Sequence, residues 1–153
     1  MAEVGTKETG TSNRGPRVDQ YQKATWLKEE DWGAWCAAFV CWTIRETFKA
    51  FGLKDTAHFS RPQTAGAFDF ERWSLAQDDS TSTRKPCGSD IQRGDLVIFT
   101  FSHIGIATSS PDKSGNFTTI EGNSNSKGSR TGGMVCEGKR NVSLVRSRIR
   151  FTI

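Results

Sequence analysis

The chain has 153 residues, a formal net charge of +4, and 25% charged against 35% hydrophobic residues. That length suffices for one domain whose core needs neither a disulfide framework nor a metal. No apolar run approaches the ~20 residues of a membrane helix, and the first residues lack the apolar stretch of a secretory leader, so neither a membrane span nor a signal peptide is expected.

Residues 1–16 are polar and read as an N-terminal arm, with Pro16 placed to start a helix. From residue 17 to about 27, Val18, Tyr21 and Thr25 share one face, the spacing of a short amphipathic helix. An acidic loop, Lys28-Glu-Glu-Asp31, follows. Next comes Asp31-Trp-Gly-Ala-Trp-Cys-Ala-Ala-Phe-Val-Cys-Trp42, where a glycine-containing turn runs into an apolar helix. Cys36, Val40, Ile44, Phe48 and Phe51 recur at three- and four-residue intervals, and Gly52 is a suitable left-handed stop. A short helix is expected around residues 64–73, then a polar surface loop over 78–86. Beyond a Gly94-Asp95 turn the pattern becomes strand-like over 96–101, 103–108, 117–121, 133–137 and 142–153, with breaks at 109–112, 122–125 and 138–141. Helices first and antiparallel strands afterwards indicate an α+β fold over a single domain, residues 1–153.

The four cysteines, Cys36, Cys41, Cys87 and Cys136, contain no C-x-x-C pair, which argues against a zinc knuckle and leaves a single Cys87–Cys136 bridge open. Basic residues are spread along the chain. The densest run, Arg146-Ser-Arg-Ile-Arg150, alternates like a strand with a solvated arginine face, so a nucleic-acid partner is not expected.

Cys36 falls where the helix begins. Its sulfur lies near unpaired backbone N–H groups and the positive end of the helix dipole, which favour thiolate over thiol. Cys41 is on another face of the same helix and is expected to be structural, as are Cys87 and Cys136. A thiolate nucleophile needs a base, and the base needs a group to hold its ring. Of the two histidines, His103 opens a strand directly after another strand, whereas His58 sits in an irregular loop. His103 is the better candidate. In Phe117-Thr-Thr-Ile-Glu-Gly-Asn123, Glu121 and Asn123 are two apart and leave a regular strand by the same face, with Gly122 leaving room for a neighbour. Trp32 and Trp35 are candidate substrate contacts.

Trp35-Cys-Ala-Ala-Phe-Val40, the Gly94-Asp95 turn, Ser102-His-Ile-Gly-Ile106 and Ile120-Glu-Gly-Asn123 together resemble the CHAP family, cysteine- and histidine-dependent amidohydrolases and peptidases that cut bacterial peptidoglycan. The order and spacing match, and the opening Val4-Gly-Thr-Lys-Glu8 and Ser12-Asn-Arg-Gly15 resemble the leader of one branch of the family. The resemblance implies a papain-like fold, with Cys36 as nucleophile, His103 as general base, Glu121 as orienting acid and Asn123 as a further polar group. It implies an amidase or endopeptidase acting on the cell-wall peptide in the periplasm or wall of a target cell. Such a protein is expected to be a monomer that serves as a phage lysin, a tail-associated hydrolase or a secreted antibacterial effector, brought there by phage or a secretion system, or made in the cytoplasm and released. An effector role would imply a cognate inhibitor protein. Some members bind calcium before the cysteine, but Glu29, Glu30 and Asp31 are adjacent rather than alternating, so no metal or cofactor is expected. The alternatives are a wall-binding or protein-binding module without turnover, and a thiol acyltransferase on the same fold.

Overall fold

Pro16 occupies the first position of helix α1 (Pro16–Gln22), where its missing N–H has no helical partner to lose. A computed structural model describes residues 2–77, 81–84 and 90–151, with backbone only for 81–84. Helix α1 is shorter than its apolar spacing predicts. The Thr25 hydroxyl donates to the Gln22 carbonyl at 2.8 Å, and the backbone turns away after Lys23. The acidic loop contains one 3-10 turn, Glu29–Asp31.

Helix α2 (Cys36–Ala50) buries Cys36, Ala37, Ala38, Phe39, Val40, Cys41, Ile44 and Phe48. It stops as predicted at Gly52, whose φ is 65°. Leu53 N–H donates to the Phe48 carbonyl at 2.8 Å and Gly52 N–H to that of Lys49 at 3.4 Å, a Schellman cap. Helix α3 (Asp69–Leu75) starts later than expected, after a Thr64 turn in which the hydroxyl accepts from Gly66 N–H.

The strands are β1 (Thr81–Arg84), β2 (Leu96–Phe99), β3 (His103–Ala107), β4 (Asn116–Ser124), β5 (Met134–Asn141) and β6 (Val145–Phe151), in one sheet of order β1-β6-β2-β3-β4-β5. Every pairing is antiparallel. Helices followed by an antiparallel sheet make the chain α+β, as the order of its sequence patterns predicts. Strand β2 is buried throughout because the sheet is covered on both faces. Leu96 and Ile98 pack with Val40 and Ile44, while Val97 and Phe99 pack with Ile91 and Phe117.

Four expectations are corrected. Residues 81–84, inside the expected surface loop, form β1 against β6. The break at 138–141 is absent, since β5 runs on to Asn141 opposite Asn116. The break at 122–125 is instead an irregularity within β4, where the register shifts between Glu121 and Ser124 and Asn123 takes φ 54°. Of the β6 arginines only Arg146 stays exposed, while Arg148 is buried and Arg150 half-buried. Because β6 lies between β1 and β2, they close onto acids: Arg148 on Asp90 at 2.9 Å, Arg150 on Asp95 at 2.7 Å and Arg146 on Glu71 at 2.9 Å. The Cys87–Cys136 bridge cannot be placed, because Cys87 lies outside the described residues. Cys136 is a buried free thiol.

The N-terminal arm continues the sheet past β5. Gly5 N–H donates to the Val135 carbonyl and Val135 N–H to that of Thr6, both at 2.8 Å, and Glu8 N–H donates to Gly133 at 2.9 Å. Glu8 also accepts from the Trp35 indole at 2.8 Å, fixing the residue that precedes α2. Tyr21 stands at the centre of an aromatic group, 5.6 Å from Trp35, 5.3 Å from Phe39 and 5.0 Å from Trp42 between ring centroids. Such pairs contribute about 0.5–1.5 kcal/mol each beyond their burial. Its hydroxyl bonds Glu3, and burial pushes its pKa up to about 12.

At Gly122 β4 lies close against α2, for a Cβ there would lie 2.5 Å from that of Phe39 and 3.1 Å from the Trp35 ring. Gly122→Ala is expected to lose about 1–3 kcal/mol in urea unfolding. Gly33→Ala, at a position with nothing within 4 Å of the added carbon, serves as the near-neutral control. Equal midpoints for the two variants would contradict the close packing.

Candidate active site

Strand β3 begins immediately after a three-residue hairpin loop in which Ser102 takes φ 57°, the left-handed conformation such a loop needs at its last position. The loop reverses the chain so that Phe99 and His103 are direct partners. The rings of Phe99, Phe101 and His103 lie nearly parallel, with Phe101 and His103 centroids 5.8 Å apart at 15°. His103 is fully buried.

On the next strand Glu121, equally buried, accepts from His103 Nε2 at 2.8 Å. Its other donors are Thr119 Oγ1 at 2.5 Å and the two arms of the Arg140 guanidinium, Nε to Oε1 at 2.8 Å and Nη2 to Oε2 at 2.5 Å. Glycines make the space. A Cβ on Gly105 would sit 2.8 Å from Glu121 Cγ, and one on Gly138 would sit 2.6 Å from Oε1. Burial pushes the Glu121 pKa up, yet Arg140, His103 and Thr119 outweigh it and bring it down to about 2. Glu121 is therefore an anion at neutral pH.

For His103 burial works against the charged ring, but contact with Cys36 and Glu121 prevails and raises its pKa to about 9. Cys36, at the first position of α2, lies close enough to act on the imidazole, although no well-aligned hydrogen bond closes onto Nδ1. Cys36 is buried, with 6% of its surface exposed. No side chain caps the start of α2, leaving first-turn N–H groups and the positive end of a fifteen-residue helix beside Cys36.

Asn123 is 1% exposed. Its Oδ1 accepts from Gly133 N–H at 3.2 Å and its carbonyl from Gly132 N–H at 3.0 Å. The expected common face for Glu121 and Asn123 does not hold, because the irregularity at Gly122 and Asn123 breaks the alternation. Among the described residues, only two buried side-chain nitrogens or oxygens lack a hydrogen-bond partner, Asn123 Nδ2 and His103 Nδ1.

The two tryptophans separate. Trp35 has no exposed surface, stacks on Tyr21 and donates to Glu8, so its assignment as a substrate contact is corrected to a core role. Trp32 is partly exposed; its indole donates to the Leu27 carbonyl at 3.3 Å and the Arg14 guanidinium lies 5.2 Å from its ring centroid. Cys41 donates to the Thr64 carbonyl, and burial pushes its pKa up, as befits a structural thiol. His58 is exposed.

Sequence reasoning missed Arg140 and Thr119. Thr119 stands two residues before Glu121 on one strand, a spacing that was open to inspection. Arg140 was concealed because Gly138 and Asn141 on either side look like turn residues.

No curated protein matches the chain. Among solved structures, the wild-type endolysin LysIME-EF1 is similar, with 22% sequence identity and a TM-score of 0.46 over 59% of this chain and 44% of that one. This chain therefore matches less than half of the endolysin's length. The model of the CHAP domain matches residues 27–123, which include Cys36, His103, Glu121 and Asn123. That stretch is well over half of the chain, and the protein belongs to the CHAP domain family.

Proposed function

We propose that the protein is a peptidoglycan hydrolase that cuts an amide bond of the wall peptide with Cys36 as nucleophile. The observation that carries this reading is the division of the His103 ring: Nε2 is held by a buried anion, while Nδ1 is unpartnered and Cys36 lies against the ring. A ring fixed in this way keeps one tautomer and one orientation, as acyl transfer by a thiol requires.

In this mechanism the Cys36 sulfur attacks the amide carbonyl carbon, forming a C–S bond, while backbone N–H groups at the start of α2 stabilise the oxyanion. The C–N bond then breaks and His103 gives its proton to the leaving amine. Water next attacks the thioester with His103 accepting its proton, releasing a carboxylic acid and restoring the thiol. Glu121 stays ionised throughout, steadying the imidazolium. Asn123, with its free Nδ2, is assigned as a further polar group for the substrate, and Trp32 as a contact at the approach. An amidase cuts between sugar and peptide stem, and an endopeptidase within the peptide. The action falls on the wall of a target cell, as phage lysin, tail-associated hydrolase or antibacterial effector.

Digestion of purified walls of several chemotypes, read by mass spectrometry, identifies the bond. Wild type is expected to release new amines, and Cys36→Ala to fold and release none. His103→Ala should lose about 10²-fold or more in rate. Unchanged fragments from folded wild-type protein would leave a binding module, and coupling to an added amine in place of hydrolysis would identify an acyltransferase.

The pH dependence follows from the same groups. The raised pKa of His103 means its contribution to stability is complete below its unfolded value of about 6.5 and disappears as pH rises through about 9. The lowered pKa of Glu121 means its contribution is complete above its unfolded value of about 4.3 and disappears as pH falls through about 2. Wall digestion is therefore expected to decline on the alkaline side with a midpoint near 9, as His103 loses the proton owed to the leaving amine. A profile still rising at pH 10 in folded protein would count against His103 as the acid.

A further inference from the structure

Arg140 has no hydrogen bond to Cys36 or His103, yet each nitrogen of its guanidinium donates one. It is 8% exposed, and its fork places one donor on each oxygen of Glu121. Its third nitrogen, Nη1, donates to the Gly128 carbonyl at 3.2 Å. The guanidinium lies 5.0 Å from the ring centroid of Phe99 and 5.2 Å from that of Phe101, the rings that stack with His103. A Cβ on Gly128 would come within 2.8 Å of Nη1.

The groups facing this carboxylate come from three elements besides its own strand. His103 approaches from β3, Arg140 and the Cys136 thiol from β5, and Cys36 acts from α2 through the imidazole, while Thr119 approaches along β4. With Arg140 present, the buried set is neutral overall whether the proton sits on sulfur or on the ring. That transfer leaves the net charge unchanged with or without Arg140; what Arg140 alters is the field at the ring, because its charge offsets that of Glu121. Without Arg140 the set carries an unbalanced anion, and Glu121 pulls with its full charge on the imidazolium. Geometry acts alongside charge: the fork and Thr119 occupy three of the carboxylate's lone-pair directions and leave one on Oε2 for Nε2.

We propose that Arg140 is a positioning residue of the Cys36, His103 and Glu121 site, whose fork fixes the Glu121 carboxylate and whose charge balances it. Glu121 then orients His103 without locking the proton onto the ring. This inference rests on the proposal that those three residues perform the chemistry.

The test combines a titration that needs no substrate with kinetics that do. The chain has two histidines, so a His58→Gln background leaves His103 as the single imidazole for ¹⁵N NMR. Arg140→Met, of similar length and uncharged, is expected to raise the His103 midpoint by about one pH unit. Arg140→Lys keeps the charge and loses the fork, so it should hold the midpoint while lowering kcat for wall digestion about tenfold at unchanged KM. An arginine that merely supports the fold would lower the melting temperature of both variants and leave midpoint and kcat alone, which overturns the proposal. Should Arg140→Met fail to fold, Arg140→Lys decides: wild-type kcat overturns the proposal, and a fall in kcat with a constant midpoint sustains it. A shifted midpoint in Arg140→Met beside a wild type that digests no wall would sustain the role of Arg140 and remove peptidoglycan as the substrate.

Discussion

A carboxylate with no exposed surface stands on β4, between β3 and β5, and much of the local sequence follows from the need to hold it. The effective penalty for burying such an ion is several kcal/mol, so Glu121 requires donors on every side. It has them from Thr119, His103 and both arms of Arg140. Two flanking strands give up a side chain to make space, at Gly105 and Gly138. Strand β5 must run as far as Asn141 to bring Arg140 within reach. The ring of His103 is fixed by an anion that is itself held by three other hydrogen bonds.

The second half of the site is the start of α2, secured from outside the sheet. Glu8 of the arm accepts from Trp35, the residue before Cys36, and its N–H donates to the Gly133 carbonyl. Gly133 N–H in turn donates to Asn123. One arm residue thus ties the cysteine's helix to the segment that carries Asn123. Gly122 completes the junction, since the lack of a Cβ there lets Phe39 of α2 rest against β4.

Local rules made most of the fold legible. Pro16 and Gly52 marked helix ends through backbone geometry alone, and the apolar run over 96–101 marked a strand. Cys36, His103 and Glu121 could be nominated because each lies at a place with its own signal: a helix start, a strand start, a strand beside a glycine. What the sequence hid depends on pairing across long separations. Residues 138–141 look like a turn until Phe117 and Asn116 are seen opposite them. The arginines of β6 look solvated until Asp90, Asp95 and Glu71 are brought over from other segments. Trp35 looks available for a ligand because nothing nearby in sequence reveals that Glu8 and Tyr21 enclose it.

Asn123 shows why one local rule failed where it did. A non-glycine residue in the left-handed region costs about 1 kcal/mol or more, and a buried donor without a partner costs about 1–3 kcal/mol. Asn123 bears both, at the point where β4 leaves its register. Asparagine tolerates that backbone better than most residues, and two glycine N–H groups support it from the 132–133 segment. The side chain thereby turns away from the alternation that a regular strand would impose. Its Nδ2 and His103 Nδ1 are the two unsatisfied buried side-chain atoms among the described residues, and both belong to the region proposed to receive the substrate. Under the proposed function, that unused hydrogen-bonding capacity is what an incoming amide would meet. Local strain at a bulge beside unfilled polar groups breaks the agreement between local and global preferences, the kind of exception that marks a candidate site.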